Sequence, residues 1–204
     1  MKRKLYTTFA AIHLGSEMIS MQITEYRSID RVKVVECCNR RIRLGEATFK
    51  NKIIPFNLVN EICEILYGFK MLMEEYGVEE YTLQATTAVR EARNQIFLLD
   101  QIYSRTGLIV DVVDMPQEIY TKYVAIRNTL KNEKITSDRE GMLMMDISSG
   151  GLGVTMIKDD KIRYQENFHV GIIRIKESFA RNRRESMHFN KALTEFLSST
   201  VAVS

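Results

Sequence analysis

Two stretches far apart in the chain repeat one pattern. Ala10-Ala11-Ile12-His13-Leu14-Gly15-Ser16 and Met144-Met145-Asp146-Ile147-Ser148-Ser149-Gly150 are each an apolar run with one polar residue near its end, followed by small residues. The repetition aligns His13 with Asp146, Gly15 with Ser148 and Ser16 with Ser149. A strand that ends in small residues lets backbone N–H groups approach an anion, most often phosphate. Two such turns restrict the chain either to a fold built from a repeated strand–turn unit or to two unrelated hairpins. The order of the other elements decides between them.

Residues 5–45 read as three strands joined by tight turns. The second, near Met18–Tyr26, alternates Met21 and Ile23 with polar neighbours, and Ser28-Ile29-Asp30 turns the chain into Val32–Cys38. Pro55 opens a helix in which Leu58, Ile62, Ile65, Leu66, Phe69, Leu72, Met73 and Tyr76 recur at helical spacing until Gly77 stops it. Tyr81–Thr86 is a strand running into a second helix, about Val89–Arg105, ended by Gly107. Leu108–Val113 reads as a buried parallel strand. Asp114-Met115-Pro116 then starts a helix with proline in its first turn. The order is βββαβαβα. Residues 129–141 are polar and without periodicity, as a linker would be.

The pattern then restarts. Met142–Ile147 and Gly153–Ile157 read as strands, Asp159-Asp160 as a turn, and Ile162, Tyr164 and Phe168 mark a third strand. A helix from about Ile172 and another near His188–Leu197 follow. The expected organisation is one complete α/β domain over 1–128, a linker over 129–141 and the start of a duplicate over 142–204. A half-domain of this kind leaves a sheet edge open, so the chain reads as a fragment or truncated relative, and the edge invites a second copy, a homodimer.

Composition narrows the function classes. The chain of 204 residues is 45% hydrophobic and 27% charged, as an ordinary soluble globular protein is. No apolar run approaches the roughly 18–20 residues that span a bilayer. Met1-Lys2-Arg3-Lys4 is basic, but Leu5-Tyr6-Thr7-Thr8-Phe9 is too polar and short for a secretory signal, so the expected location is cytoplasmic, with no membrane partner. Cys37, Cys38 and Cys63 form neither a disulfide framework nor a zinc spacing. The 11 methionines, several in Met71–Met73 and Met142–Met145, are expected to fill core gaps. Arginines cluster at Arg40, Arg41 and Arg43, at Arg90 and Arg93, and at Arg181, Arg183 and Arg184, where they either receive polyanions or line a solvated face. The aromatic stacking pattern of a nucleic-acid module is missing, so no nucleic acid polymer is expected as partner.

Four segments carry a resemblance. Ala11-Ile12-His13-Leu14-Gly15-Ser16, Arg41-Ile42-Arg43-Leu44-Gly45-Glu46, Ala85-Thr86-Thr87-Ala88-Val89-Arg90-Glu91-Ala92-Arg93-Asn94 and Asp146-Ile147-Ser148-Ser149-Gly150-Gly151 occur in this order across nearly the whole chain. Together they resemble the exopolyphosphatase/guanosine pentaphosphate phosphohydrolase family, within the sugar kinase, heat-shock protein and actin superfamily. The third run is the most specific. The resemblance implies an α/β ribonuclease H-like (actin-like ATPase) domain followed by the start of a duplicate, with Arg41–Glu46 as the strand after the first hairpin. It implies a hydrolase that releases orthophosphate from inorganic polyphosphate or guanosine pentaphosphate.

Phosphoanhydride cleavage needs neutralised phosphate oxygens, a divalent metal and a carboxylate to orient or deprotonate water. By resemblance, Glu118 in Pro116-Gln117-Glu118-Ile119 is that carboxylate, facing a cleft between domains. Thr86, Thr87 and Arg90 would bind phosphate oxygens, and Gly15, Ser16, Ser148, Ser149 and Gly150 would hold the terminal phosphate. Asp146 would support Mg2+, through water.

The chain also departs from the family's pattern. His13 replaces an aspartate in the first loop, Ser148 and Ser149 replace glycines in the second, and Gly153 stands where a glutamate would be. Loss of two metal carboxylates weakens the expected hold on magnesium. Each residue also has a structural reading: Glu118 complementing a helix dipole, Arg90 and Arg93 in surface ion pairs, Asp146 capping a turn, His13 hydrogen-bonded and neutral. Two functions stay open: a phosphoanhydride hydrolase, and a degenerate relative that binds or senses polyphosphate or nucleotide alarmones.

Overall fold

The computed structural model describes residues 6–28, 31–133, 141–159, 161–179 and 188–202. The linker core 134–140, the Ile29-Asp30 turn, Asp160 and the Arg181, Arg183 and Arg184 cluster lie outside the described residues. The chain divides into two compact units, Met1–Asp114 and Met115–Ser204.

The first unit is a five-stranded sheet with helices. Strands β1 (Thr7–Leu14), β2 (Met18–Ser28) and β3 (Arg31–Arg41) form an antiparallel meander, while β4 (Glu80–Ala85) and β5 (Asp111–Val112) continue parallel from β1. The spatial order is β3-β2-β1-β4-β5. Period-two alternation decides which face is covered: Thr8, Ala10, Ile12 and Leu14 are buried, and so are Ile19, Met21 and Ile23 on β2. Helix α2 (Phe56–Glu75) adds Val59, Ile62, Cys63, Leu66, Phe69 and Met73, and α4 (Gln95–Thr106) adds Leu98 and Ile102. Cys63 is therefore a packing residue, and burial pushes its thiol pKa up.

Three local expectations change. Residues after Arg41 do not continue as strand, because Leu44–Asn51 forms helix α1, which buries Leu44, Gly45, Thr48 and Phe49 and closes on Lys52 at φ 56°. The expected helix from Val89 is split into one turn, α3 (Thr87–Arg90), and α4, because tertiary partners claim the residues between. Asn94 holds the Ile54 backbone in both directions, its Oδ1 accepting from Ile54 N–H at 2.9 Å and its Nδ2 donating to Ile54 O at 2.9 Å. Arg93 N–H donates to Lys52 O at 2.8 Å, and Lys52 Nζ donates to Glu91 at 2.6 Å. Third, the Leu108–Val113 run pairs only at Asp111 and Val112. The Leu108 amide donates to Thr106 Oγ1 and the Ile109 amide to Tyr81 Oη, so these residues are diverted from the ladder.

The Asn94 clamp has a measurable worth. Asn94→Ala leaves the amide and carbonyl of Ile54 without that partner, and is expected to cost about 1–3 kcal/mol. Urea unfolding should show a lower midpoint at unchanged slope.

The second unit places helix α5 (Met115–Asn132) with an antiparallel sheet of β6 (Met142–Ile147), β7 (Leu152–Lys158) and β8 (Lys161–Phe168), followed by α6 (Ile172–Ser178) and α7 (Phe189–Ala202). Tyr123 of α5 packs with Met144 and Ile157, joined by Val124, Ile126, Met142 and Ile162. The methionine run thus fills the core only at alternate positions: Met144 is buried, whereas Met145 is 61% exposed beside Leu143 and Ile147. Phe179 meets Phe189 and Phe196 edge-on, with centroids 5.5 and 5.6 Å away. Among the described residues, no helix is long and apolar enough to cross a membrane.

Both units use one main-chain device. After the first strand, the Ser16 carbonyl accepts from Gly45 N–H, in the first turn of α1, at 2.7 Å. In the second unit the Ser149 carbonyl accepts from Ile173 N–H, at the same helical position of α6, at 3.0 Å. This is the alignment of Ser16 with Ser149 expected from sequence, now carried by backbone atoms.

Candidate functional site

In the first unit the parallel register pairs Leu14 with Ala85, so β1 and β4 release their chains side by side into Gly15-Ser16 and Thr86-Thr87. β5 ends next to β4, and Val113 follows it. The carboxyl ends of adjacent parallel strands are where open α/β sheets bind ligands. The structure therefore brings Gly15, Ser16, Thr86, Thr87 and Arg90 to one end of one sheet.

The side chains of Thr86, Thr87 and Arg90 already have partners there. His13, on the exposed face of β1, places Nε2 3.3 Å from Thr86 Oγ1, which ties the first loop to the third motif. A Cβ on Gly15 would sit 2.8 Å from the His13 ring and 3.0 Å from Met18 O, so a side chain there would turn the imidazole away and press on the Met18 carbonyl. Thr86 precedes the first residue of α3, and its carbonyl accepts from Val89 and Arg90. Arg90 donates through Nη1 to Val113 O at 2.7 Å and through Nη2 to Thr87 Oγ1 at 3.1 Å. Arg90 is thus a tether between α3 and the end of β5, and Ser16 and Thr87 are buried.

In the second unit, the turn after β6 is drawn towards α6. Ile172 and Ile173 donate to the carbonyls of Ser148 and Ser149, and Arg174 Nε donates to Gly150 O at 2.6 Å. Ser148 is spent within the turn: its amide donates to Gly151 O at 2.9 Å, and its hydroxyl also reaches Gly151 O. Gly171 lies against this backbone, where a Cβ would approach Gly150 and Gly151 to 2.3 Å.

Glu118 lies in the first turn of α5, and Lys122 lies one turn later. Lys122 Nζ is 3.1 Å from Glu118 Oε1 and 2.5 Å from Asp146 Oδ2. One ammonium therefore joins the two carboxylates to which the resemblance gives catalysis and metal support. Burial works against this ammonium, but the hydrogen bond to Asp146 and the charge of Glu118 outweigh it and lift its pKa above the ordinary lysine value. Asp146 pairs across the ladder with Gly153, whose Cβ, if present, would lie 3.8 Å from that of Asp146. Among the described residues, no group of three or more His, Cys, Asp or Glu is placed to hold a metal ion. The Lys122 ammonium lies against the Glu118 and Asp146 oxygens that a magnesium ion would use.

A model of the Ppx/GppA phosphatase family matches residues 23–202. The chain belongs to the Ppx/GppA phosphatase family. A bifunctional 3-dehydroquinate synthase/phosphatase of Fusobacterium nucleatum is 21% identical over 177 residues, 86% of this chain and 24% of that protein. A solved Ppx/GppA enzyme of Aquifex aeolicus is 23% identical with a TM-score of 0.75, over 97% of this chain and 64% of that one. A solved exopolyphosphatase of Cytophaga hutchinsonii is 18% identical with a TM-score of 0.80, over 96% of this chain and 61% of that one. These two structures share the fold, an α/β actin-like architecture. The chain spans about three fifths of their length and about a quarter of the curated relative.

Against this Ppx/GppA frame, sequence reasoning overlooks Lys122, Gly171 and Arg174. The i, i+4 spacing of Glu118 and Lys122 was a readable signal of a helical ion pair. Gly171, just ahead of the Ile172 helix, was readable as its N-cap. Arg174 carried no signal, since its partner is a carbonyl that only the fold brings near.

Proposed function

We propose that the chain carries the phosphate-handling part of a phosphoanhydride hydrolase of the exopolyphosphatase type, which releases orthophosphate from inorganic polyphosphate or guanosine pentaphosphate in the cytoplasm. The observation that carries this reading is the gathering of Gly15, Ser16, Thr86, Thr87 and Arg90 at the carboxyl ends of β1, β4 and β5. Family membership supplies the phosphatase class. In the proposed reaction a water oxygen bonds to the terminal phosphorus as its proton passes to the Glu118 carboxylate. The bridging P–O bond breaks, its electron pair stays on the shortened chain, and orthophosphate leaves.

A second reading is a relative that binds the same polyanions without cleaving them. It is favoured by the engagement of both Glu118 and Asp146 by Lys122, and by His13 in the first loop. Orthophosphate release from long-chain polyphosphate and from guanosine pentaphosphate separates the two. The hydrolase reading predicts multiple turnovers. Salt-sensitive polyphosphate binding with no release would replace it with the second.

A further inference from the structure

We infer that Lys122 is a built-in cation that stands in the second unit in place of a divalent ion, so that Glu118 and Asp146 hold no resident metal. The inference rests on reading Glu118 as the catalytic carboxylate and Asp146 as the metal support, but its test reads metal binding alone.

Three observations converge on it. First, Nζ stands 2.5 Å from Asp146 Oδ2 and 3.1 Å from Glu118 Oε1, so the carboxylate oxygens that a dication would draw together already share a positive charge. Magnesium needs oxygens at about 2.0–2.1 Å in near-octahedral order. Admitting it would require the ammonium to leave both partners. Second, residues i and i+4 of α5 share a face, so the helix itself sets Lys122 beside Glu118. Third, where the resemblance expects a glutamate the chain has Gly153, which faces Asp146 in the ladder and brings no carboxylate to it. The presence of Lys122 and the absence of a side chain at 153 act in the same direction on Asp146.

The charge has a role of its own. An ammonium does not release water from an inner sphere or exchange with solvent ions, so the site should be indifferent to chelators. Its three donors leave it able to hydrogen-bond a phosphate oxygen if it turns from Asp146.

The test is Mn2+ binding to the full chain, read from the electron paramagnetic resonance signal of free Mn2+, for the wild type, Asp146→Asn, Lys122→Met and Lys122→Met/Asp146→Asn. Wild type and Asp146→Asn are expected to bind within twofold of each other. Lys122→Met should bind at least tenfold tighter than wild type, and the double variant should lose that gain. A tenfold or greater loss on going from wild type to Asp146→Asn overturns the inference, because the pair then already holds a metal with Lys122 present. A folded Lys122→Met without a gain overturns it as well. Should Lys122→Met fail to fold, the wild-type and Asp146→Asn comparison decides alone. Absence of phosphate release leaves all of these readings unaffected.

Discussion

Replacing Glu118 with glutamine is expected to lower orthophosphate release from long-chain polyphosphate by a factor of about 10²–10⁴, the range over which a positioned general base contributes. Glutamine keeps the shape and a carbonyl oxygen for Lys122, but it cannot take the proton of the attacking water. The variant should therefore bind polyphosphate as the parent does and unfold at a similar denaturant concentration. Glu118→Asp keeps the charge and withdraws it by one methylene, and should fall between the two. Measured side by side, release and binding separate a chemical role from a helix-dipole role. Undiminished release in Glu118→Gln would remove Glu118 from the reaction.

The second large effect is expected from Gly171→Ala. Its backbone has φ −69°, which any residue can adopt, so the cost is one of space alone. A methyl group would lie 2.3 Å from the carbon of Gly150, the nitrogen of Gly151 and the carbonyl oxygen of Ser149. None of these atoms can yield without moving the turn, which is fastened to α6 through the amides of Ile172 and Ile173 and through Arg174. A loss of about 3 kcal/mol or more is expected, at the upper end for overpacking. Gly68→Ala is the matched control: it sits in α2 with nothing within 4 Å of the added carbon, and should gain about 0.5–1 kcal/mol. Denaturant curves for the pair measure the contrast directly.

Much of the fold was legible because it rests on short-range regularity. Alternation at Met21 and Ile23, helical spacing from Leu58 onwards and the punctuation by Pro55 and Gly77 all describe single elements, and each was recovered, although Val59 rather than Leu58 is the buried residue at the start of the helix. The losses lie where a partner distant in sequence intervenes. Asn94 breaks a helix because Ile54 offers it two hydrogen bonds, and Ile109 is kept from the ladder by Tyr81, 28 residues earlier. At the site, the motifs named the residues by resemblance, and the parallel register of β1 with β4 is what brings Gly15 and Ser16 beside Thr86 and Thr87. The motifs did not show their engagement: that Arg90 would spend its guanidinium on Val113 and Thr87, or that Lys122 would join Glu118 to Asp146, depends on distances set by packing.

The two sheets also differ in how far the chain must reach to close them. Every strand pair of the second unit joins residues at most 16 apart, as in Leu152 with Phe168, and its turn is fastened to α6 only 24 residues on. In the first unit, β1 must also wait for β4, with Phe9 meeting Glu80 across two intervening strands and two helices. Rates of folding fall as such separations grow. When the full chain refolds, the second sheet can therefore form early from local segments, whereas the end of the first sheet that gathers Gly15 with Thr86 is completed late. On a ribosome, that end takes shape only after the chain beyond Ala85 has emerged.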